Sequence, residues 1–231
     1  MKIGIIGAMH EEVIELKEIM VIEKEEKLGN LTFFVGNLKG KNIVLVECGI
    51  GKVNGAICAT LMCNYFNVDK VLFTGVAGGL NPDVNIGDIV ISTDAIEHDF
   101  DTTAFGDPMG LIPRMDTSTF KADEELINIA QLAGKEIFGE DKIWTGRVLS
   151  GDIFVANVDK INWLREYFNG ECVEMEGAAV AHVCHVFNKP FLVIRSISDK
   201  ANHEADVVFS EFVKLAAANS KKLIEGILER I

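Results

Sequence analysis

Residues 2 to 20, KIGIIGAMHEEVIELKEIM, constrain the fold more than any other stretch. KIGIIG is a short apolar run that stops at Gly7 and reads as a buried strand. In AMHEEVIELKEIM, Val13, Leu16 and Met20 share one helical stripe. A buried strand, a glycine stop and an amphipathic helix open an α/β fold. Three strand-like runs follow, VIEKEEK, LTFFVGNL and NIVLVECG, and Gly29-Asn30 and Gly40-Lys41-Asn42 fit hairpin turns between them. An antiparallel meander inserted here predicts a mixed sheet.

Alternation then resumes. GIGKVNGAICATLMCNYF reads as a glycine turn leading into a helix, and VLFTGVAGGL as a buried strand breaking into a glycine loop. GDIVISTDAIEHD is strand-like. Residues 99 to 118 carry Gly106, Pro108, Gly110 and Pro113 and read as a loop long enough to be functional. DEELINIAQLAGKEIF and NVDKINWLREYF are helical, and IWTGRVLSGD and FLVIRSISD are strands. A long C-terminal helix carries Phe212, Leu215, Leu223 and Ile227. No linker, repeat or low-complexity tract interrupts this order. The expectation is one domain, residues 1–231, with helices on both sides of the sheet.

The formal net charge of −13 makes nucleic acid and anionic membrane poor partners but leaves neutral nucleosides open. No arginine precedes Arg114, so phosphate bound in the N-terminal half would rely on lysine or backbone amides. Cys48, Cys58, Cys63, Cys172 and Cys184 are odd in number and scattered, and read as reduced core residues of a cytoplasmic protein. The N-terminus lacks the apolar length of a signal peptide, and no apolar run would span a bilayer.

Candidate chemistry falls at the carboxyl ends of strands, where ligands collect in α/β sheets. Glu12, the glycines 49–51 and 75–79, Ser150-Gly151-Asp152, Glu174, Glu176 and Asp199 all sit there. Glu174 and Glu176, in VEMEGAAVAHVCH, admit two readings taken alone: first-turn residues favoured by the helix dipole, or catalytic carboxylates. Gly49, Gly51 and Gly55 have the wrong spacing for a dinucleotide fingerprint, and no phosphate-binding loop motif is present. His182 and His185 have a possible metal-ligand spacing, but an apolar helix favours core or interface histidines, so no metal is expected. His98-Asp99-Phe100-Asp101 reads as polar structure at a strand end. Ser150 has no His–Asp relay and is not read as a nucleophile.

These segments together resemble the 5′-methylthioadenosine/S-adenosylhomocysteine nucleosidases of the nucleoside phosphorylase superfamily. The resemblance covers essentially the whole chain. It rests on KIGIIGAMHEE, GIGKVNGA, TGVAGGL, GDIVIS, HDFDTTAFG with GLIP, SGDIFV, VEMEGAAVAHVCH and VIRSISDKA in that order. It implies a single three-layer α/β domain with a mixed, partly closed sheet flanked by helices, and a homodimer without a cofactor. The implied reaction is hydrolysis of the N-glycosidic bond of methylthioadenosine and S-adenosylhomocysteine, and also 5′-deoxyadenosine, to adenine and a 5-substituted ribose. That reaction belongs to methionine salvage and the methyl cycle.

The resemblance also implies roles. Asp199 matches the acid that protonates adenine N7, and Glu12 the base that activates water. Glu176 matches the holder of the ribose hydroxyls, with Met175 against the sugar. Phe154 matches the ring stacked on adenine, the backbone of Val155 reads its edge, and Gly78 lines the pocket. Met9, Ile50 and Phe209 match the thioalkyl pocket, with Phe105 and Pro113 expected from the partner subunit. Glu174, Arg195 and Ser198 are expected behind these residues as supports. The serine that some members carry in a TGSAGG loop is Val76 here, which excludes a hydroxyl contact to Asp199 from that position. Alternatives on the same fold are aminodeoxyfutalosine cleavage in menaquinone synthesis, a purine nucleoside phosphorylase, and a non-catalytic nucleoside-binding relative.

Overall fold

The opening run folds as the strand β1 (Lys2–Gly7), buried from Ile3 onward, and the helix α1 (His10–Ile19). The computed structural model describes residues 1–200 and 205–231, with side chains from residue 209 onward in the last helix. Ala201, the end of the VIRSISDKA motif, lies outside the described residues.

The meander forms as β2 (Val21–Leu28), β3 (Leu31–Leu38) and β4 (Lys41–Glu47). Both hairpins are antiparallel, and β4 returns parallel to β1. The second turn is centred one residue earlier than expected. Lys39 and Gly40 both take positive φ, at 51° and 77°, the pattern of a tight two-residue hairpin turn, and Lys41 already belongs to β4.

After α2 (Lys52–Thr60) and a π-helical turn (Leu61–Tyr65) comes β5 (Lys70–Gly79). The chain continues through β6 (Ile89–Glu97), a 3-10 turn at Thr103–Phe105, the two-residue β7 (Phe120–Lys121), α3 (Glu124–Phe138) and β8 (Ile143–Ser150). It ends with α4 (Val158–Phe168), β9 (Gly170–Glu174), α5 (Gly177–Val186), β10 (Phe191–Asp199) and α6 (Ala205–Leu228).

The sheet is mixed and partly closed. β10 pairs with both β5 and β6, so β10, β6, β8, β9 and β5 form a ring, and β1, β4, β3 and β2 extend from β5 as an open wing. Every residue of β10, and of β5 after Lys70, is buried. Strands buried along their whole length suit a sheet covered on both faces. Here α1, α3 and α6 pack together on one side and α2 and α5 on the other. All five cysteines are buried free thiols. No helix among the described residues is long and apolar enough to cross a membrane.

The expectation that 71–80 breaks into a glycine loop is corrected: β5 stays in strand through Gly75, Gly78 and Gly79. Gly75 serves close approach rather than turning. A Cβ there would stand 2.7 Å from the Glu12 Oε1 atom and 3.3 Å from Arg195 Nη1. At Gly79 the nearest atoms to a new Cβ are at 3.5 and 3.6 Å, an ordinary contact. Gly75→Ala is therefore expected to destabilise by about 1–3 kcal/mol through overpacking. Gly79→Ala should be neutral or stabilising by up to about 1 kcal/mol. Urea unfolding of both variants measures the difference, and equal costs would reject this account of Gly75.

Candidate active site

Glu12 sits in the first turn of α1 and is 4% exposed. Its Oε2 atom accepts from the Ala8 amide at 2.6 Å and the Met9 amide at 2.9 Å, and Oε1 accepts from the Val76 amide at 3.0 Å. The bond to Met9, the residue preceding the helix, is the glutamate half of a capping box. Capping and orientation toward β5 are thus done by one carboxylate. Burial pushes Glu12 above the usual carboxylate range, against the Arg195 charge and the three amides, which pull it down.

Glu174 ends β9 beside Ser150, its register partner on β8. It is held from every side. Arg195 reaches Oε2 from Nη2 at 2.5 Å and from Nε at 3.2 Å. The Gly177 amide donates to both carboxylate oxygens, at 2.9 and 2.8 Å, and the Glu176 amide lies 3.3 Å from Oε2. The Ser150 hydroxyl donates to Oε1 and accepts from the Ala178 amide at 2.7 Å, so it is committed to structure. Glu174 therefore caps α5 and pairs with a buried arginine at once. Arg195 spends its remaining donors on the carbonyls of Ile194 and Phe73, at 2.9 and 3.3 Å, with its guanidinium carbon 4.1 Å from the Phe73 ring centre. Burial works against that charge, but Glu174 and then Glu12 outweigh it and hold the arginine protonated.

Glu176 precedes α5 but its side chain turns away from that helix. It accepts from the Gly51 amide at 2.7 Å. The reading of both glutamates as first-turn residues is corrected: α5 begins at Gly177. Burial, then the neighbouring Glu174, pushes Glu176 up to about 8.

Asp199 ends β10 and is 2% exposed. The β10–β5 register shifts between Ile197 and Asp199, which brings Asp199 opposite Gly78, while Gly78 also faces Val173 of β9. A bulge of this kind re-aims a side chain. The Ser198 hydroxyl, at the shift, lies 2.9 Å from Asp199 Oδ2 and 3.3 Å from the Ala77 carbonyl oxygen. The hydroxyl contact that Val76 cannot make is made by Ser198 instead.

Glu12, Glu174, Glu176 and Asp199 line one pocket of about 740 Å³ including its open mouth. Met9, Ile50, Gly78, Phe154, Val155, Met175, Ser198 and Phe209 line it too. Phe154 and Phe209 meet edge to face at 5.9 Å. Ile50 and Phe154 are about half exposed at the mouth. Arg195 lies behind the wall rather than in it, and Phe105 and Pro113 are not at this pocket; Phe105 is 88% exposed. Sequence reasoning missed Ala8, Ala77, Ile153 and Val173 as lining residues. Each is the chain neighbour of a residue named for another reason, which was the available signal.

His182 Nδ1 lies 3.0 Å from Glu97 and His185 Nε2 lies 3.1 Å from Asp116, and both rings pack on Phe120. They face separate carboxylates on one aromatic ring rather than converging on a point. Among the described residues no group of three or more His, Cys, Asp or Glu could hold a metal ion.

The raised Glu176 carboxyl sets a stability test. Between 4.5 and about 8 the folded chain keeps a proton that the unfolded chain has lost. Stability must then fall as pH rises through that window and level off above it. Glu176→Gln removes this titration. Its melting temperature relative to wild type should climb from about pH 5 to about pH 9. A constant difference across thermal melts at those pH values would reject the assignment.

A model of the phosphorylase superfamily matches residues 2–229. The 5′-methylthioadenosine/S-adenosylhomocysteine nucleosidase of Anoxybacillus flavithermus is 43% identical over 226 residues, 97% of each chain. The crystal structure of the nucleosidase of that name from Neisseria meningitidis, in complex with methylthio-immucillin-A, superposes with a TM-score of 0.95 at 39% identity, covering 100% of this chain and 99% of that one. The futalosine hydrolase of Helicobacter pylori superposes with a TM-score of 0.94 at 36% identity, covering 100% and 98%.

Proposed function

The chain belongs to the 5′-methylthioadenosine/S-adenosylhomocysteine nucleosidases of the phosphorylase superfamily, and from that premise we propose how its pocket works. It is an N-glycosyl hydrolase that releases adenine from methylthioadenosine and S-adenosylhomocysteine. The observation that carries the mechanism is the convergence of Glu12, Glu176 and Asp199, all buried, on one pocket with no arginine among its described lining residues.

Adenine is a poor leaving group as an anion. As the bond from ribose C1′ to N9 breaks, its electron pair enters the purine and Asp199 gives a proton to N7. General acid catalysis of this kind supplies about 10²–10⁴-fold. The Ser198 hydroxyl fixes the orientation of that carboxyl. Positive charge grows on the ribose meanwhile, and the Glu12 carboxylate stabilises it. Glu176, whose burial keeps it protonated up to about 8 before that charge develops, ionises as the adjacent cation pulls its pKa back down and then adds to the stabilisation. Water then adds to C1′ and yields its proton to Glu12, whose affinity for protons is raised by burial. Glu176 holds the ribose hydroxyls over Met175, Phe154 stacks on adenine, the Val155 backbone reads its edge and Gly78 lets the base approach. Met9, Ile50 and Phe209 take the thioalkyl group.

Water is the nucleophile rather than phosphate because Arg195, the arginine nearest the site, is buried and committed to Glu174 and two carbonyls. Phosphate-independent release of adenine from methylthioadenosine by purified protein tests this, and a strict requirement for phosphate would overturn it. Asp199→Asn and Glu12→Gln should each lose at least about 10²-fold in kcat with the fold intact by circular dichroism. Wild-type turnover in either would remove that residue from the mechanism. The futalosine hydrolase likeness favours one extension of substrate range. The mouth, where Ile50, Ile153 and Phe154 are about half exposed, could pass a larger 5′ substituent, so aminodeoxyfutalosine belongs in the substrate panel with 5′-deoxyadenosine and inosine.

The protein acts as a cytoplasmic homodimer in methionine salvage and the methyl cycle, with Phe105 and Pro113 of each subunit completing the thioalkyl end of the other's pocket. Phe105 is otherwise an aromatic ring almost wholly in water. Phe105→Ala should raise KM for methylthioadenosine by about tenfold with little change in kcat, the loss of one buried aromatic contact. Steady-state kinetics decide it, with sedimentation measuring the assembly; an unchanged KM would return Phe105 to the surface.

A further inference from the structure

Three residues outside the pocket form a closed hydrogen-bonded ring. The Lys52 amide donates to Asp152 Oδ1 at 2.8 Å, the Asp152 amide donates to Asp99 Oδ2 at 2.9 Å, and Lys52 Nζ donates to Asp99 Oδ1 at 2.6 Å. Lys52 Nζ also donates to Glu97 Oε2 at 3.2 Å, and the other Glu97 oxygen meets His182. The Lys52 and Asp99 side chains are each only 17% exposed.

The ring joins two segments that touch the pocket from different sides. Next to Lys52 is Gly51, whose amide gives Glu176 its 2.7 Å hydrogen bond. Gly51 holds a φ of 102°, and a Cβ there would stand 3.2 Å from Asp152 Oδ1, so the two segments are already in close contact. Asp152 begins the stretch whose next residues, Ile153, Phe154 and Val155, line the other wall. Gly51 and residues 152–155 are neither helix nor strand, and Lys52 is the first residue of α2. Holding an irregular residue in one conformation costs about 1–2 kcal/mol. Charge-assisted bonds in a partly dry setting are the strong kind that can hold it. Asp99 supplies both its oxygens to this end, and Lys52 offsets the repulsion between Asp99 and Glu97.

We infer that the Lys52–Asp99–Asp152 ring is a positioning device that locks the sugar-side segment to the base-side segment. Glu176 then grips the ribose only where Phe154 and Val155 hold the base. The inference rests on the reading of Glu176 as the ribose holder. Lys52 touches no substrate; it acts through Gly51 and Asp152.

The test uses the full chain, methylthioadenosine and its 3′-deoxy analogue. Wild type sets the preference for the intact ribose. In Lys52→Met, kcat/KM for methylthioadenosine should fall about 10- to 100-fold, mostly through KM, because a displaced contact is costly at this scale. The 3′-deoxy analogue should lose less than about threefold, since its grip by Glu176 is already incomplete, so the ribose preference collapses. Lys52→Arg should restore most of that preference. Asp99→Asn, which keeps the shape and removes the charge, should reproduce the collapse and guards against misfolding of Lys52→Met. An unchanged preference in folded Lys52→Met and Asp99→Asn overturns the ring's role. So does failure of Lys52→Arg to restore the preference in protein that melts like wild type. Wild-type protein that cleaves neither nucleoside would instead overturn the assigned reaction, and the inference with it.

Discussion

Arg195 and Glu174 meet at 2.5 Å with 1% and 4% of their side chains exposed. Burying two such charges costs several kcal/mol each and is offset only when geometry and further hydrogen bonds are good. Here they are: Arg195 makes two bonds to Glu174 and two to carbonyls, and Glu174 adds Ser150 and the amides that open α5. Removing one partner of such a pair costs about 3–5 kcal/mol, because the other is left charged and dry. The consequence reaches the pocket. Glu174 fixes the start of α5, hence Glu176, and the Arg195 charge pulls against the burial of both Glu12 and Glu176. A fixed cation behind the wall is what allows several carboxylates to share one pocket without an arginine in it.

The same arrangement accounts for how far the sequence could be read. Local pattern was enough for most elements, since β10 and β5 contain apolar runs (FLVI and VLF) and α3 and α4 carry Asp123 and Asn157 as their helix-opening caps. Pattern does not encode pairing between distant segments. That β10 bonds both β5 and β6, and so closes part of the sheet, follows from tertiary packing alone. The bulge at Ser198 has no local signature either, yet it aims Asp199 at Gly78. Gly75 was misread because a glycine in a strand end looks like a turn signal, whereas its function is to leave room for Glu12. In the sequence Asp99 reads as polar structure at a strand end, Asp152 as one of several strand-end candidates, and Lys52 stands out for nothing; only their convergence gives them a common task.

Glu12 and Glu174 show why the choice between helix cap and functional carboxylate was posed too sharply. Each does both. Amides at a helix start are donors that cannot leave, and a carboxylate that satisfies them is oriented at no further entropic cost. Three amide bonds taken alone would draw Glu12 well down and leave it a feeble base. Burial works in the other direction and prevails, so the group keeps an affinity for protons above that of a glutamate in water. A carboxylate in solvent would be placed loosely and would hold a proton too weakly to take one from water. The cap supplies placement and the dry wall supplies basicity, and moving Glu12 out of either environment would forfeit one of the two properties that its proposed role in water activation requires.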